Sequence, residues 1–402
     1  MCTKSQTFLE RHKNSSIGNM RVLIVEPRNT GHHISYVEKA VDALSVLGEL
    51  TLCSPLDSAQ HPDWRDRILP LQDRIECKCC LPAFDFSKPT ISWSRILQAI
   101  VNLEPNQKLD LIYFPSGDYL QYIALTHRAM WQKFRNWLDS GKIMVGLPTF
   151  HLTPTLHDLA KRRVRRYFLK LSSIDLFLTQ SRQISKWSQS LALVPEPTTP
   201  LKMQGISKRE CRMRLGIKTN GPLCVMAGVL ERRGKGLRPF LKEFVSIDSG
   251  DPTELLLAGE ISRSTLAWIS DLACENFSNC KIHFRTYRSD QELHECIGAG
   301  DLTVVPYGKH YMTSAIASAS IALRRPIYAP KIGWFEQVIK ETDCGYFISE
   351  HEPLVCGDEL PDIARTACSY TPSEANIQYG KYTSNENYAS LLREASERIC
   401  RP

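Results

Sequence analysis

The stretch from Asp301 to Phe347 reads DLTVVPYGKHYMTSAIASASIALRRPIYAPKIGWFEQVIKETDCGYF, and its pattern decides the fold of this chain. It predicts a buried strand that ends in Pro306-Tyr307, a loop, and a helix that begins at Thr313-Ser314. A second strand is predicted at Pro326 to Ala329, followed by a turn at Gly333-Trp334-Phe335-Glu336. A loop that leads from a parallel strand into a helix presents unpaired N–H groups and the positive end of the helix dipole, and these bind anions such as phosphate. The alternative is an ordinary strand–helix repeat without a ligand.

A basic loop, Gly228-Val-Leu-Glu-Arg-Arg-Gly-Lys-Gly236, follows an earlier apolar run. Its cations Arg233 and Lys235 predict that the loop binds a diphosphate through charge-assisted hydrogen bonds, without a metal ion. Whether Arg232 or Arg233 points inward stays open. A solvated surface turn is the alternative, but the order and spacing of this loop and the Ser314 loop favour a shared phosphate site.

The N-terminal half alternates strands and helices in the same way. Arg21-Val-Leu-Ile-Val25 holds a continuous apolar run suited to a parallel strand that is buried on both faces. The loop Gly31-His32-His33, a helix from Tyr36 to Leu47 and a strand from Leu50 to Cys53 complete a βαβ unit. Further strands are predicted at Leu111–Phe114, Ile143–Leu147 and Leu176–Thr179, and helices at Tyr119–Leu138 and Leu159–Leu171. This alternation predicts a doubly wound sheet.

Residues 194–204, VPEPTTPLKMQ, contain three prolines and mark a boundary between two domains. Beyond it the pattern restarts with a strand at Leu223–Ala227, a helix at Leu237–Phe244 and a strand at Leu255–Ala258. We predict a flexible extension over 1–19, an N-terminal domain over 20–198, a second domain over 205–380, and a terminal helix over 381–402 that crosses back to the first domain. Two Rossmann-like α/β domains of this kind imply a cleft between them in which ligands bind.

The Asp301 to Phe347 segment resembles the donor-binding half of glycosyltransferases with the GT-B fold. In that family the pattern runs aspartate, apolar strand, Pro-Tyr, loop, Ser-Gly, a helix of small residues, Arg-Pro, strand, Gly-x-x-Glu and a later Gly. The matching residues here are Tyr307, Ser314, Arg325-Pro326, Gly333, Glu336 and Gly345, with Ala315 in place of the Gly that follows the Ser. The best-known retaining members carry two glutamates spaced Glu-x7-Glu, whereas this chain has Tyr311 and Ala319 there. The chain is therefore more similar to the Ser-Gly variant of the superfamily. Its basic loop resembles the family's Gly-x-Leu…Arg-Lys-Gly loop, with Gly234 as an extra residue.

The resemblance implies a hexosyltransferase that moves a sugar from a nucleoside-diphosphate donor to an acceptor hydroxyl, with no metal or other cofactor. It implies the following donor contacts: Arg233, Lys235, Thr313, Ser314 and Gly31 at the diphosphate, and Tyr307 and Glu336 at the sugar and nucleoside. His151, at the C-terminal end of a strand, would be the catalytic residue, and Glu26 is the alternative carboxylate. His32 and His33 would lie on the acceptor side or else cap the first helix.

The net charge of +7 comes entirely from the N-terminal half, where residues 1–200 carry 25 Lys and Arg against 18 Asp and Glu. Basic and apolar residues alternate over residues 159–171, which predicts a helix suited to an anionic membrane surface, or else a packed helix with a solvated basic face. The implied acceptor is a glycan, a lipid-linked molecule or a small molecule, and no RNA-binding motif accompanies the cations. The sequence shows neither a signal peptide nor a membrane-length apolar run. We therefore expect a cytoplasmic protein, peripheral on the inner face of the membrane.

Two other functions stay open at this point. A catalytically inactive GT-B subunit, acting as a scaffold in glycan assembly, is favoured by the loss of both glutamates and opposed by Arg233, Lys235 and Ser314. A sugar-nucleotide epimerase on the same fold has less support, because the usual arrangement of paired carboxylates and a His is not seen.

Overall fold

The structure is a computed structural model, and it describes residues 20–29, 32–103, 108–147, 163, 166–167, 169–170, 172–198, 201–219, 221–231, 234–246, 253–276, 282–287, 289–308, 313–348 and 359–401. Internal contacts divide the chain into two compact units. Unit 1 comprises Met1–Pro195 with Tyr388–Pro402, and unit 2 comprises Glu196–Asn387. Each unit is built on one parallel sheet, as the alternation of strands and helices predicts.

Unit 1 has a seven-stranded sheet in the order β3-β2-β1-β4-β5-β6-β7, and every neighbouring pair is parallel. The strands are β1 Met20–Val25, β2 Gly48–Pro55, β3 Glu76–Leu81, β4 Leu111–Phe114, β5 Lys142–Leu147, β6 Leu176–Thr179 and β7 Leu191–Leu193. The helices are α1 His32–Leu44, α2 Pro62–Arg67, α3 Pro89–Val101, α4 Leu120–Thr126, α5 Arg128–Leu138 and α6 Arg182–Ser185, with 3-10 turns at Ser58–Gln60 and Leu69–Leu71.

Both faces of this sheet are covered, which explains the continuous apolar runs in its central strands. On β1, Leu23 and Val25 pack into one hydrophobic layer, while Val22 and Ile24 pack into the layer on the opposite face. The chain's last helix (Asn385–Cys400) contributes Tyr388, whose hydroxyl lies 3.1 Å from the hydroxyl of Tyr113 on β4, to the second layer.

Unit 2 has a six-stranded parallel sheet in the order β10-β9-β8-β11-β12-β13. The strands are β8 Leu223–Ala227, β9 Glu254–Ala258, β10 Ile282–Arg285, β11 Leu302–Val304, β12 Ile327–Pro330 and β13 Gly345–Ile348. A 3-10 turn, Leu201–Met203, precedes the helices α7 Lys208–Leu215, α8 Leu237–Ser246, α9 Arg263–Asn276, α10 Asp290–Ala299, α11 Ala315–Ala322, α12 Gly333–Thr342, α13 Leu360–Cys368 and α14 Glu374–Tyr382. The last helix, α15, is Asn385–Cys400. The predicted doubly wound α/β architecture is confirmed in both units.

Asp301 fixes the start of the unit 2 sheet. Its carboxylate accepts from Lys208 Nζ and Arg212 Nη2, each at 2.6 Å, and from the backbone N–H of Leu223 at 2.9 Å. Burial raises the pKa of Asp301, but these hydrogen bonds and the two cations outweigh that effect and hold it below its usual value. Asp301 therefore ties β8, β11 and α7 together.

Two expectations from the sequence are wrong in detail. The predicted helix from Tyr119 to Leu138 is two helices, because His127 (φ −132°, ψ 51°) leaves the helical region between them. The predicted turn at Gly333–Glu336 is instead the first turn of α12. None of the helices in the described parts of the chain is both long enough and apolar enough to span a bilayer.

Candidate anion-binding site

The candidate site lies in unit 2, where β8 and β11 are neighbours at the centre of the sheet. The chain leaves β8 toward β9 on one side, and it leaves β11 toward β12 on the other. Loops that diverge in this way open a crevice at the carboxyl ends of the strands, where doubly wound folds bind their ligands. The two loops singled out in the sequence are those that follow β8 and β11.

The two loops are joined by backbone contacts. The N–H of Gly308 donates to the carbonyl oxygen of Gly234 at 3.1 Å. Gly236 has a φ of +73°, and a Cβ atom there would lie 2.1 Å from the carbonyl oxygen of Pro306. Only glycine permits this approach, so the glycines that flank Lys235 set its position against the second loop.

Lys235 lies over the aromatic ring of Tyr307. Its Nζ is 3.6 Å from the ring centroid, a cation–π distance. Tyr307 is buried, its ring meets Phe335 edge to face at 5.9 Å, and burial raises its pKa against a smaller lowering effect of Ser314. The structure therefore brings Lys235 onto Tyr307, which is far from it in sequence and begins the loop that leads to Ser314.

Ser314 is the N-cap of α11, and the whole helix beyond Ala315 is buried. The Ser314 hydroxyl accepts from the N–H of Ala317 at 3.4 Å, and Thr313, directly before it, is half-buried. Since the first N–H groups of a helix have no partner within it, this end can donate to an anion. Gly228 of the first loop is near it, because a Cβ there would lie 3.4 Å from Ile316.

The remaining predicted residues are distributed as follows. Glu336 lies in the first turn of α12, and Lys340 Nζ donates to its carboxylate at 2.5 Å, which lowers its pKa. Arg232, Arg233, Gly31 and His151 lie outside the described residues, as does the side chain of His32, although His32 begins α1. Most of residues 159–171 also lies outside them.

In unit 1, His33 belongs to a buried polar cluster that the sequence indicated only in part. Its Nδ1 lies 3.0 Å from the hydroxyl of Ser116, and the backbone carbonyl of Ser116 accepts from Arg28 Nη2 at 2.7 Å. Arg28 Nε also donates to Glu26 at 3.0 Å. Ser116 was missed because 88 residues separate it from Arg28. The order of the strands, which places β4 beside β1, is the signal that could have found it.

A cavity of about 400 Å³ lies in unit 1, at the opposite edge of the sheet from this cluster. Its lining includes Arg21, Glu49 and Glu76, at the N-terminal ends of β1, β2 and β3. Ligands of doubly wound sheets bind at the carboxyl ends instead, so we assign no role to this cavity.

Comparison of sequences finds neither a matching family model nor a matching curated relative. Comparison of structures finds a glycosyltransferase from Rickettsia africae, with a TM-score of 0.64 and 13% identity, over 95% of this chain and 99% of that one. A sucrose-phosphate synthase from Thermosynechococcus elongatus has a TM-score of 0.67 and 14% identity, over 95% of this chain and 99% of that one. Anabaena HepE in complex with UDP and glucose has a TM-score of 0.59 and 13% identity, over 95% of this chain and 98% of that one. The chain has the GT-B fold.

This finding confirms the fold that the resemblance implied. In a GT-B chain, unit 2 is the C-terminal Rossmann-like unit, and the site described above lies at its sheet centre. At identities of 13% and 14% the comparison carries the fold alone, so the activity has to be argued from the site.

Proposed function

We propose that the protein is a glycosyltransferase that moves a hexose-type sugar from a nucleoside-diphosphate donor to an acceptor hydroxyl. One observation supports the proposal: the Gly234–Gly308 hydrogen bond joins the loop of Lys235 to the loop that leads to the Ser314 helix end, at the switch point of a GT-B sheet. A cation beside a helix N-terminus suits a diphosphate. HepE, which is similar in fold, has been solved with UDP and with UDP-glucose.

The chemistry requires stabilisation of the leaving diphosphate. As the bond from the sugar to phosphate breaks, negative charge grows on the phosphate oxygens, and preorganised donors lower the barrier to this step. We assign this role to Lys235, Thr313 and the Ser314 helix end, with Arg233 and Gly31 added from the sequence. Two cations in one loop offset the charge of a diphosphate, and we therefore propose transfer that does not depend on a metal ion.

The remaining assignments rest on the sequence. Tyr307 and Glu336 contact the donor sugar and nucleoside, His151 lies next to the reacting carbon, and His32 and His33 face the acceptor. The acceptor is a glycan, a lipid-linked sugar or a small molecule, reached from the cytoplasmic face of a membrane. WaaG, of similar fold, is described as a glycosyltransferase of lipopolysaccharide biosynthesis. The inactive-subunit alternative gains no support from the similar structures, since the Rickettsia protein, the sucrose-phosphate synthase and WaaG are named as enzymes.

Nucleotide binding tests the proposal. UDP, GDP, ADP and TDP are added separately to the full chain, and the melting temperature is measured. A ligand that binds only the folded state at about 100 times its Kd stabilises it by about 2.7 kcal/mol. We expect one nucleotide to raise the melting temperature of the wild type and of Lys242→Ala, but not of Lys235→Ala.

Lys242 is a matched control because it is an exposed lysine of α8, the helix that follows the loop. The proposal fails if none of the four nucleotides changes the melting temperature at millimolar concentration. It also fails if both lysine variants respond as the wild type does.

A further inference from the structure

The polar cluster of unit 1 occupies the equivalent position in its own sheet. Strand β1 pairs with β2 on one side and with β4 on the other, so the loops after β1 and β4 diverge. Glu26 and Arg28 follow β1, and Ser116 follows β4. By the rule that locates the anion site in unit 2, this edge of unit 1 is a second place for a ligand.

The cluster is a built site rather than a set of surface charges. Glu26 is 1% exposed, and the side chain of Arg28 is 13% exposed. Burial raises the pKa of Glu26, against the lowering effect of the Arg28 charge and of the hydrogen bond from Arg28. An ion pair removed from water costs desolvation energy. A buried ion pair at the carboxyl ends of the strands, where doubly wound sheets bind ligands, therefore points to a role in ligand binding.

Arg28 is fixed in one orientation. Its Nε donates to Glu26 Oε1 at 3.0 Å and its Nη2 to the carbonyl oxygen of Ser116 at 2.7 Å. Within the described residues, neither Arg28 Nη1 nor Glu26 Oε2 makes a hydrogen bond. A planar guanidinium held by two of its nitrogens presents the third as a preorganised donor.

Two phenylalanine rings lie together on one side of the guanidinium. Arg28 Cζ lies 5.7 Å from the ring centroid of Phe84 and 5.9 Å from that of Phe86. The rings of Phe84 and Phe86 meet edge to face at 5.1 Å, and Phe84 also packs on the buried Trp93. Phe86 is nevertheless 68% exposed. Phe84 therefore anchors this aromatic pair in the core, and Phe86 leaves it open to a ligand.

These features identify the chemistry of the ligand. The Glu26–Arg28 pair is neutral overall, so the cluster has no excess charge with which to select an anion or a cation. It combines an exposed aromatic face with a fixed hydrogen-bond donor. A sugar ring has the complementary surfaces, an apolar C–H face and a rim of hydroxyls that accept and donate hydrogen bonds.

We propose that the acceptor of the transfer is a carbohydrate and that this cluster binds its sugar ring. Phe86 stacks on the ring, Arg28 Nη1 donates to a hydroxyl, and Glu26 and Ser116 are positioning residues that orient Arg28. That the bound sugar is the acceptor rests on the proposed glycosyltransferase activity. Binding of a sugar ring to this cluster is tested independently of that activity.

Saturation-transfer NMR on the full chain tests the site, with methyl hexopyranosides and methyl N-acetylhexosaminides at millimolar concentration as probes. We expect ring protons of at least one glycoside to receive saturation. The signal should fall about tenfold in Phe86→Ala, since a stacked aromatic face supplies a large share of such contact energy. It should also fall in Arg28→Lys and Glu26→Gln, and persist in Leu56→Ala, which removes another exposed apolar side chain (71% exposed) of unit 1.

Two results would overturn the proposal: no glycoside receives saturation from the wild type, or Phe86→Ala and Arg28→Lys give the wild-type signal. Phe86→Ala changes an exposed side chain, so its test does not depend on the stability of the buried pair. The melting-temperature response to nucleotide separates the two proposals. If a glycoside receives saturation but no nucleotide changes the melting temperature, the glycosyltransferase proposal is wrong and the sugar site stands. If a nucleotide changes the melting temperature but no glycoside receives saturation, only the sugar site is wrong.

Discussion

Replacement of Lys235 by alanine is expected to impair catalysis far more than it impairs folding. The folded state loses the contact between Lys235 Nζ and the Tyr307 ring at 3.6 Å. For a half-buried lysine such a contact contributes about 1 kcal/mol. In a unit of this size that loss lowers the melting temperature by about 2–4 °C.

The loss of transition-state stabilisation in Lys235→Ala is larger than this loss of folding stability. Removal of one preorganised donor to a developing oxyanion costs about 2–4 kcal/mol, which corresponds to a fall in kcat of about 30- to 1000-fold. Ground-state binding of the diphosphate loses about 1.5–3 kcal/mol, the contribution of a hydrogen bond to a charged group. The nucleotide Kd should therefore rise by about 10- to 150-fold.

The assay measures release of the nucleoside diphosphate from the donor sugar whose nucleotide protects the protein thermally. Lys235→Arg keeps the charge and should retain part of the activity, Tyr307→Phe keeps the ring and should stay near wild type, and Lys242→Ala should be unchanged. If Lys235→Ala is folded and turns over at the wild-type rate, the diphosphate does not bind where we place it.

Three further results are expected. Nucleotide affinity should be the same in EDTA and in manganese, because in our proposal Lys235 and Arg233 offset the diphosphate charge. Calorimetric binding that disappears in EDTA and returns with manganese would contradict this. Asp301→Asn should lower the free energy of unfolding by about 3 kcal/mol at neutral pH, since it breaks a buried ion pair. The pKa of Asp301 is lowered in the folded state, so its contribution is present above the unfolded pKa of about 3.9 and is lost as pH falls through the folded value; urea titrations of both proteins should converge in acid, and a constant gap would count against the ion pair. Wild-type protein should sediment with phosphatidylglycerol vesicles at low salt, and replacement of Arg162, Arg163, Arg165 and Arg166 by Gln should abolish this, because each cation adds about 1 kcal/mol near an anionic surface; protein that stays in solution at low salt would exclude that surface.

The strands that the sequence predicts are the inner ones, and those that it misses are the edges. Leu111–Phe114, Leu176–Thr179 and Leu223–Ala227 match the structure residue for residue, because strands buried on both faces carry near-continuous apolar runs. The unpredicted strands are β3, β7, β10 and β13, which are the four edge strands of the two sheets. In β3, Glu-Cys-Lys-Cys-Cys-Leu, only Leu81 is buried. Such a segment lacks the apolar run that identifies a strand.

The candidate site was predictable one loop at a time but not as an arrangement. Glycines and cations mark the Lys235 loop, and an N-cap serine marks the helix that follows β11. That Lys235 lies on the ring of Tyr307 depends on β8 and β11 being neighbours, which the sequence does not encode locally. The same limit hid the pairing of Arg28 with Ser116 in unit 1.

The pattern shared with glycosyltransferases mixes residues that build the sheet with residues that face the crevice. Arg325 is buried, and its guanidinium donates to the carbonyl oxygens of Gly298, Leu323 and Ile206, while Asp301 joins three elements. A match at these two positions therefore argues for the fold and would persist in a protein without activity. Lys235 and Ser314 differ, because a cation and a helix end at the sheet's switch point are not required to hold the sheet together. Their presence is the reason to expect catalysis, and variants of Lys235 rather than of Asp301 decide between an enzyme and an inactive subunit.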